Sequence, residues 1–146
     1  AVFHTVLVDD PDRALTMAKS MAAGYYEYSP ALFAPPRLAW TGADPETLKR
    51  EHKVWPDFHH ATDLVASGRV VDFLPESAAD AFSLRGGPGQ VADRLVDVLR
   101  GAPAEFDYVV VHPIPNPPSP DDPESGYTAR MAREVLPRVR QALGAL

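Results

Sequence analysis

The stretch from Ala81 to Pro113 constrains the fold most, because two apolar runs flank a helical pattern. The runs Ala81–Leu84 and Phe106–Val111 predict strands, and the second is continuous enough to predict a strand that is buried on both faces. Between them, the segment 85–89 predicts a glycine-rich turn with Pro88 at the first helical position. A strand, a crossover helix and a second strand form a right-handed parallel βαβ unit. The sequence therefore predicts an α/β fold.

Helices are predicted on both sides of this unit. Its own helix follows from an apolar stripe and ends at Gly101. The stripe consists of Val91, Leu95, Val98 and Leu99. A first strand over Val2–Val8 leads through Asp9-Asp10-Pro11 into a helix that runs to about Tyr28. A last helix spans Tyr127–Leu143, and Pro137 should kink it or remove one backbone hydrogen bond.

The segment from Ser29 to Asp80 predicts a helical insertion between two strands. Asp44-Pro45 should begin one helix, which ends before Pro56. A further helix is predicted from Pro56 to Ser67, with Gly68 as its C-terminal stop. On that helix His59 and His60 would point about 100° apart, so that they could not easily chelate one metal ion. We therefore predict no metal site.

Three segments resemble the C-terminal part of the luciferase-like flavin- or deazaflavin-dependent oxidoreductases. The segment 84–92, LRGGPGQVA, resembles the family's G-(T/S)-P-E-E-V-A turn, although Gly87 and Gly89-Gln90 replace its commoner residues. The segment 131–140, MAREVLPRVR, resembles the family's final A-E-E-V-L-P-x-L-R pattern, and the segment 6–14 resembles its sixth strand-to-helix passage.

This resemblance implies one domain over residues 1–146, the last three βα units of a (β/α)₈ TIM barrel with the helical insertion at 29–80. A complete barrel needs roughly 200 residues or more, and the chain has 146. The parent protein would be an oxidoreductase or monooxygenase that uses FMN or the deazaflavin coenzyme F-420 to transfer hydride or oxygen to a small organic substrate. The chain alone should be inactive. A non-catalytic, barrel-derived partner or ligand-binding subunit is the alternative.

Candidate site residues lie where the predicted strands end, because ligands bind at that face of such folds. Arg85, Gly86 and Gly87 precede a helix N-terminus, where an anionic group of the cofactor could bind. The alternative is that the glycines only make a tight turn and Arg85 pairs with a carboxylate. His112 follows the last strand and could donate a hydrogen bond or carry a proton as a catalytic residue. It could equally anchor the loop.

Composition limits the partners. The formal net charge is −6 and no basic block occurs, which argues against nucleic acid. No run of 18 apolar residues is present, so that no membrane span is expected. The absence of cysteine excludes disulfides and favours a cytoplasmic protein.

Three strands cannot close a barrel, so the chain is expected to need a partner. That partner would be the remaining N-terminal part of the barrel or further copies of this chain. A start at Ala1 without Met also suggests a piece of a longer protein. The proline-rich segment from Ile114 to Gly126 is expected to be an exposed lid or a partner contact.

Overall fold

The computed structural model describes residues 1–103, 105–114 and 126–144, and it has a mixed α/β fold. The elements in chain order are β1 (Val2–Leu7), α1 (Pro11–Tyr28), two 3₁₀ turns (Pro30–Phe33 and Pro36–Leu38), α2 (Pro45–His52), α3 (Leu64–Val70), α4 (Glu76–Phe82), β2 (Leu84–Gly86), α5 (Pro88–Arg100), β3 (Val110–Pro113), α6 (Tyr127–Arg130), a π-helical turn (Met131–Val135) and α7 (Leu136–Leu143).

The three strands form one parallel sheet in the order β2-β1-β3. β1 is the central strand and uses its two edges over different lengths. Its second half pairs with β2, from Thr5 opposite Leu84 to Leu7 opposite Gly86. Its first half pairs with β3, from Val2 opposite Val110 onwards. The parallel βαβ arrangement expected from the sequence is therefore present.

The strand order differs from the order that consecutive barrel units would have. In a barrel each strand lies beside the next one along the chain, which would place β2 between β1 and β3. Here the connection from β2 through α5 crosses to the far side of β1. A central first strand with connections leaving in opposite directions is the arrangement of open, doubly wound α/β sheets. The structure confirms the α/β class, and the partial barrel stays a prediction.

The strand predicted at Ala81–Leu84 is wrong in its position. Ala81 and Phe82 instead end α4, and β2 begins at Leu84 and extends to Gly86. The preceding residues are rich in alanine, the best helix former, and this favours continuation of the helix. Arg85 and Gly86 are consequently part of the strand and not of the turn.

The strand predicted at Phe106–Val111 is also shifted, and its burial on both faces is wrong. β3 spans Val110–Pro113, while Phe106, Tyr108 and Val110 are 42, 82 and 49% exposed. The ladder between β1 and β3 begins at the Val2–Val110 pair. The apolar residues before Val110 therefore lie beyond the start of β1 and are not part of the ladder. The result is an exposed apolar patch at the sheet edge, which we call the edge patch. It consists of Val2, Phe106, Tyr108, Val109 and Val110.

The chain consists of two compact units. The first unit comprises residues 1–11 and 84–146. Its core lies between one face of the sheet and the helices that follow β2 and β3. The buried members are Leu7, Leu84, Val91, Ala92, Leu95, Val96, Met131, Val135 and Val139. Val91 and Leu95 of the predicted α5 stripe are among them, whereas Val98 and Leu99 are only half-buried.

The last helical stretch begins at Tyr127 and ends at Leu143, as predicted. The π turn from Met131 to Val135 comes directly before Leu136-Pro137. A π turn widens the hydrogen-bond ring by one residue, which accommodates a proline that has no N–H to donate. The expected disturbance at Pro137 thus takes the form of a local π turn. Residues 115–125, which hold most of the predicted lid, lie outside the described part of the chain.

The second unit, residues 12–83, contains helices and turns without a strand. The predicted insertion from Ser29 to Asp80 lies within it, together with most of α1. The core is centred on aromatic and small residues. These are Ala22, Ala23, Phe33, Leu38, Phe58, Val71, Leu74 and Ala78, with Tyr25, Tyr26, Trp40 and Phe82 packed around them.

The helix predicted from Pro56 to Ser67 is wrong. Residues 56–62 form turns, so that His59 and His60 do not lie on a helix. α3 begins only at Leu64, because the Asp63 carboxylate accepts hydrogen bonds from the N–H groups of the second and third helical residues. Gly68 lies inside α3 and does not end it. A Cβ at this position would overlap the Thr16 carbonyl, so glycine here allows α3 and α1 to approach closely.

Across the described residues, no helix combines the length and the apolar character needed to cross a bilayer.

The strand order can be checked by NMR, since the chain has only 146 residues. We expect cross-strand nuclear Overhauser effects between β1 and β3, for example between the backbones of His4 and His112, because these residues are paired neighbours. Effects between β2 and β3 should be absent, since β1 separates them. The reverse pattern would mean that the strands take the barrel order.

Candidate functional site

The carboxyl ends of β1 and β2 lie side by side in the sheet. Gly86, the last residue of β2, is paired with Leu7, and its carbonyl accepts a hydrogen bond from Val8 N–H at 3.0 Å. Asp9 follows β1 directly and Gly87 follows β2. Ligands bind at this edge in parallel α/β sheets, so these strand ends form the first candidate for a ligand site.

The turn from β2 into α5 depends on two glycines. Gly86 has a φ of 117°, a backbone conformation that favours glycine, and a Cβ there would overlap the Gln90 side chain. A Cβ at Gly87 would lie 3.0 Å from Asp9 Oδ1. The glycines therefore let the backbone pass close to two polar side chains. This is the close approach that the sequence predicted, although the neighbours are the chain's own groups.

The Gly87 N–H is already engaged. It donates a hydrogen bond of 3.0 Å to Gln90 Oε1, whose side chain folds back over the first turn of α5. A phosphate or carboxylate oxygen of a ligand could use this N–H only by replacing the Gln90 oxygen. The sequence did not predict this hydrogen bond, because Gln90 stands out in it only as a departure from the glutamate usual in the resembling family.

Asp9 and Arg130 form an ion pair at the same edge, with Arg130 Nη2 2.8 Å from Asp9 Oδ1. Arg130 Nε also lies 3.4 Å from Glu134 Oε1. Burial alone would lower the pKa of Arg130, but its hydrogen bond to Asp9 and the two carboxylate charges raise that pKa above its usual value. Arg130 comes from α6, far along the chain, and no local sequence signal indicated it.

The electrostatics of this edge are therefore balanced by protein groups. The Asp9 carboxylate lies beside Gly87 at the N-terminus of α5, where the helix dipole favours a negative charge. Arg130 neutralises that carboxylate. A ligand anion would have to share Arg130 with Asp9 or to displace it, and Asp9 acts as the resident anion of the site.

Arg85 and His112 lie on one face of the sheet. Successive strand residues point to opposite faces, and paired residues on parallel strands point to the same face. Arg85 is paired with Val6 and His112 with His4, so all four share the face opposite to that of Leu7 and Leu84, which pack against the helices of this unit. Arg85 and His112 are both half-buried.

His112 and Arg85 lie on strands that are not neighbours in the sheet. β1 lies between their strands, and their pairing positions differ by two residues along β1, which is an offset of about 6.6 Å along the strand direction. His112 lies next to His4 instead, with ring centroids 5.2 Å apart in an edge-to-face arrangement. Its Nδ1 is buried and has no hydrogen-bond partner among the described residues. The sequence predicted only that both residues lie at strand ends, and the structure places them on one face of the sheet with β1 between their strands.

The His4 ring takes part in this arrangement, although no sequence pattern indicated it. Desolvation lowers the pKa of His4 below the ordinary value of 6.5, and the neighbouring His112 lowers it further. Both causes disfavour a positive charge on the His4 ring.

Comparison with known proteins adds no relative: no family model matches the chain, and neither a curated protein nor a solved structure does.

The His4–His112 contact can be tested by NMR titration. His4 should titrate below pH 6.5, and His112→Gln should raise its pKa part of the way back, because one of the two causes is removed while desolvation stays. An unchanged His4 pKa in the variant would contradict the pairing of β1 with β3.

The same titration predicts a direction for stability. The folded-state pKa of His4 lies below the unfolded value, so the unfolded chain binds more protons in the window below pH 6.5. The free energy of unfolding should therefore decrease as the pH falls through this window.

Proposed function

We propose that this chain is the C-terminal part of a luciferase-like oxidoreductase that uses FMN or the deazaflavin coenzyme F-420. The observation that carries the proposal is the β2–Gly86-Gly87–α5 connection at the carboxyl end of a parallel strand, followed by β3 and the final helix. These elements follow one another in the order in which the resembling motifs occur. The proposed substrate is a small organic molecule that gains or loses hydride or receives oxygen.

In such an enzyme the bound cofactor supplies the hydride or oxygen chemistry, and the protein binds and orients it. Arg85, Gly86 and Gly87 would contact an anionic group of the cofactor, with the Gly87 N–H released from Gln90. His112, on the same face as Arg85, would donate a hydrogen bond or carry a proton near the reacting atoms. No contact within the described residues competes for His112 Nδ1, which supports a role toward a ligand.

The proposal requires a change of strand neighbours in the complete protein. A closed barrel places consecutive strands side by side, so β3 would pair with β2 and β1 would receive the preceding strand. β3 lies at an edge of the sheet, pairs only with β1 and begins in the exposed edge patch, so it is the strand proposed to change its neighbour. We propose the preceding part of the barrel as the partner of this chain.

The second candidate is a non-catalytic subunit derived from the same fold. Its support is the Asp9–Arg130 ion pair together with the Gln90 cap, which fill the positions that a ligand anion would need. A subunit of this kind would keep the turn as a structural element. The two candidates differ in whether the turn binds a cofactor.

Cofactor binding is tested with Arg85→Ala in the full-length protein. If Arg85 contacts the anionic group of FMN or F-420, titration calorimetry should show affinity weakened by more than about 1 kcal/mol, the scale of a hydrogen bond to a charged group. Arg94→Ala removes an exposed arginine from α5 and is the matched control. Equal affinities for both variants and the parent would favour the non-catalytic subunit.

The need for a partner is tested by sedimentation equilibrium of the 146-residue chain at micromolar concentration. Exposed apolar strand edges promote association, so we expect species larger than the monomer, or a complex when the preceding part of the barrel is supplied. Tyr108→Lys and Val110→Lys should reduce association by placing charges in the edge patch. A folded monomer that oxidises reduced FMN by itself would contradict the proposal.

A further inference from the structure

The second unit contains a cluster of three potential metal ligands that the proposed function does not use. Asp57, His59 and His60 each direct one ligand atom toward the others, and these atoms lie within 4.8 Å of one another. His59 Nδ1 is 3.0 Å from Asp57 Oδ1, and His60 Nδ1 is 2.8 Å from Asp57 Oδ2. The two imidazole rings are adjacent, with centroids 3.9 Å apart.

These separations suit coordination of a single ion. Ligand atoms about 2.0–2.1 Å from a zinc-type ion lie about 2.8–3.4 Å from one another across an octahedral or tetrahedral edge. The Asp57 Oδ1 atom lies 3.0 Å from His59 Nδ1 and 3.1 Å from His60 Nδ1, and both distances are within that range. Two imidazole nitrogens and one carboxylate oxygen form a mixed ligand set. Such a set suits Zn²⁺ and similar first-row transition metals better than it suits Ca²⁺ or Mg²⁺.

The turn that carries the ligands is held in place by the core. The Phe58 side chain is fully buried, and its N–H donates to Glu27 Oε2 at 3.1 Å. The Phe58 carbonyl accepts hydrogen bonds from Ser20 and from Ser67 Oγ, the latter at 2.7 Å. The residue between Asp57 and His59 is therefore fixed on both sides of its backbone. A ligand set built on such a turn needs little reorganisation to bind an ion.

Partners around the ligands orient them further. The Tyr28 hydroxyl donates to Asp57 Oδ2 at 3.0 Å, and the His59 and His60 backbone N–H groups donate to Asp57 Oδ1. Gly24 leaves the space that the His59 ring occupies, since a Cβ there would overlap the ring. Such outer contacts fix the orientation of metal-binding side chains.

Charge and access also favour a cation. The Asp57 carboxylate supplies the negative charge of the cluster, and hydrogen bonds from the Tyr28 hydroxyl and the two histidine N–H groups orient it. Its side chain is 8% exposed, while that of His60 is 51% exposed and provides a route from solvent.

We propose that Asp57, His59 and His60 form a binding site for a divalent transition-metal ion of the Zn²⁺ type. The carboxylate and the two Nδ1 atoms supply three ligands, and solvent completes the coordination from the exposed side of His60. Both Nδ1 atoms face the carboxylate, so all three ligand atoms point toward a common position. With three protein ligands, the ion keeps an exchangeable position.

The test is titration of the chain, freed of metal by a chelator and without an affinity tag, with Co²⁺ in the visible spectrum and with Zn²⁺ in a calorimeter. One ion per chain should bind. His60→Gln should weaken binding at least about 100-fold, because even the loss of an outer partner commonly costs 10–100-fold. His60 is half exposed, so this variant should keep its fold, and circular dichroism will check that it does. Asp57→Asn should weaken binding similarly.

Two controls locate the ion. His52→Gln removes an exposed histidine from α2 in the same unit and should leave the affinity unchanged. His4→Gln removes one member of the other histidine pair and should also have no effect. The proposal is overturned if the chain shows no saturable binding, if His60→Gln binds as tightly as the parent, or if His4→Gln alone abolishes binding.

Discussion

The parallel pairing of β1 on both of its edges is the interaction on which the first unit depends. The ladder to β2 runs over Thr5–Leu7 and the ladder to β3 over Val2–Thr5, so Thr5 is the one residue of β1 that belongs to both. Thr5 is fully buried, and its hydroxyl donates a hydrogen bond of 3.2 Å to the Phe3 carbonyl. A slip of one residue would turn every side chain of β1 to the wrong face, so the two ladders fix the register together.

The alternation of side chains along β1 places different kinds of residue on the two faces of the sheet. One face carries Leu7 and, with its paired residues, packs against α5 and the final helix. The other face carries His4, Arg85 and His112, which are half-buried and titratable or charged. The fully buried Val6 lies on this second face as well, so both faces of β1 contribute buried side chains.

The second unit uses a different constraint, a turn whose backbone is fixed by buried side chains. Because Phe58 is anchored in the aromatic core and bonded through both its N–H and its carbonyl, the flanking Asp57 and His59 are held at defined positions without a helix or strand. Fully satisfied hydrogen bonds around a buried carboxylate make such a turn rigid. A functional site outside the sheet is therefore physically reasonable in a unit made only of helices and turns.

The sequence by itself determined the elements whose signals are local. Proline after an acidic or glycine residue marked the starts of α1 at Pro11, α2 at Pro45 and α5 at Pro88, and the disturbance at Pro137 was likewise foreseen. The expected α/β class and the glycine-dependent turn at Gly86 followed from the same kind of evidence. Each depends on backbone preferences of neighbouring residues, which a sequence displays directly.

Only the tertiary structure decided which distant groups meet. The order β2-β1-β3, the exposure of Tyr108 and the ion pair of Asp9 with Arg130 depend on pairings between residues roughly 80 to 120 positions apart along the chain. The grouping of Asp57, His59 and His60 depends on a turn that a helical periodicity concealed. Long-range packing overrides local propensity in these places. A strand edge or a buried carboxylate is stabilised by hydrogen bonds and contacts with residues that are distant in the sequence.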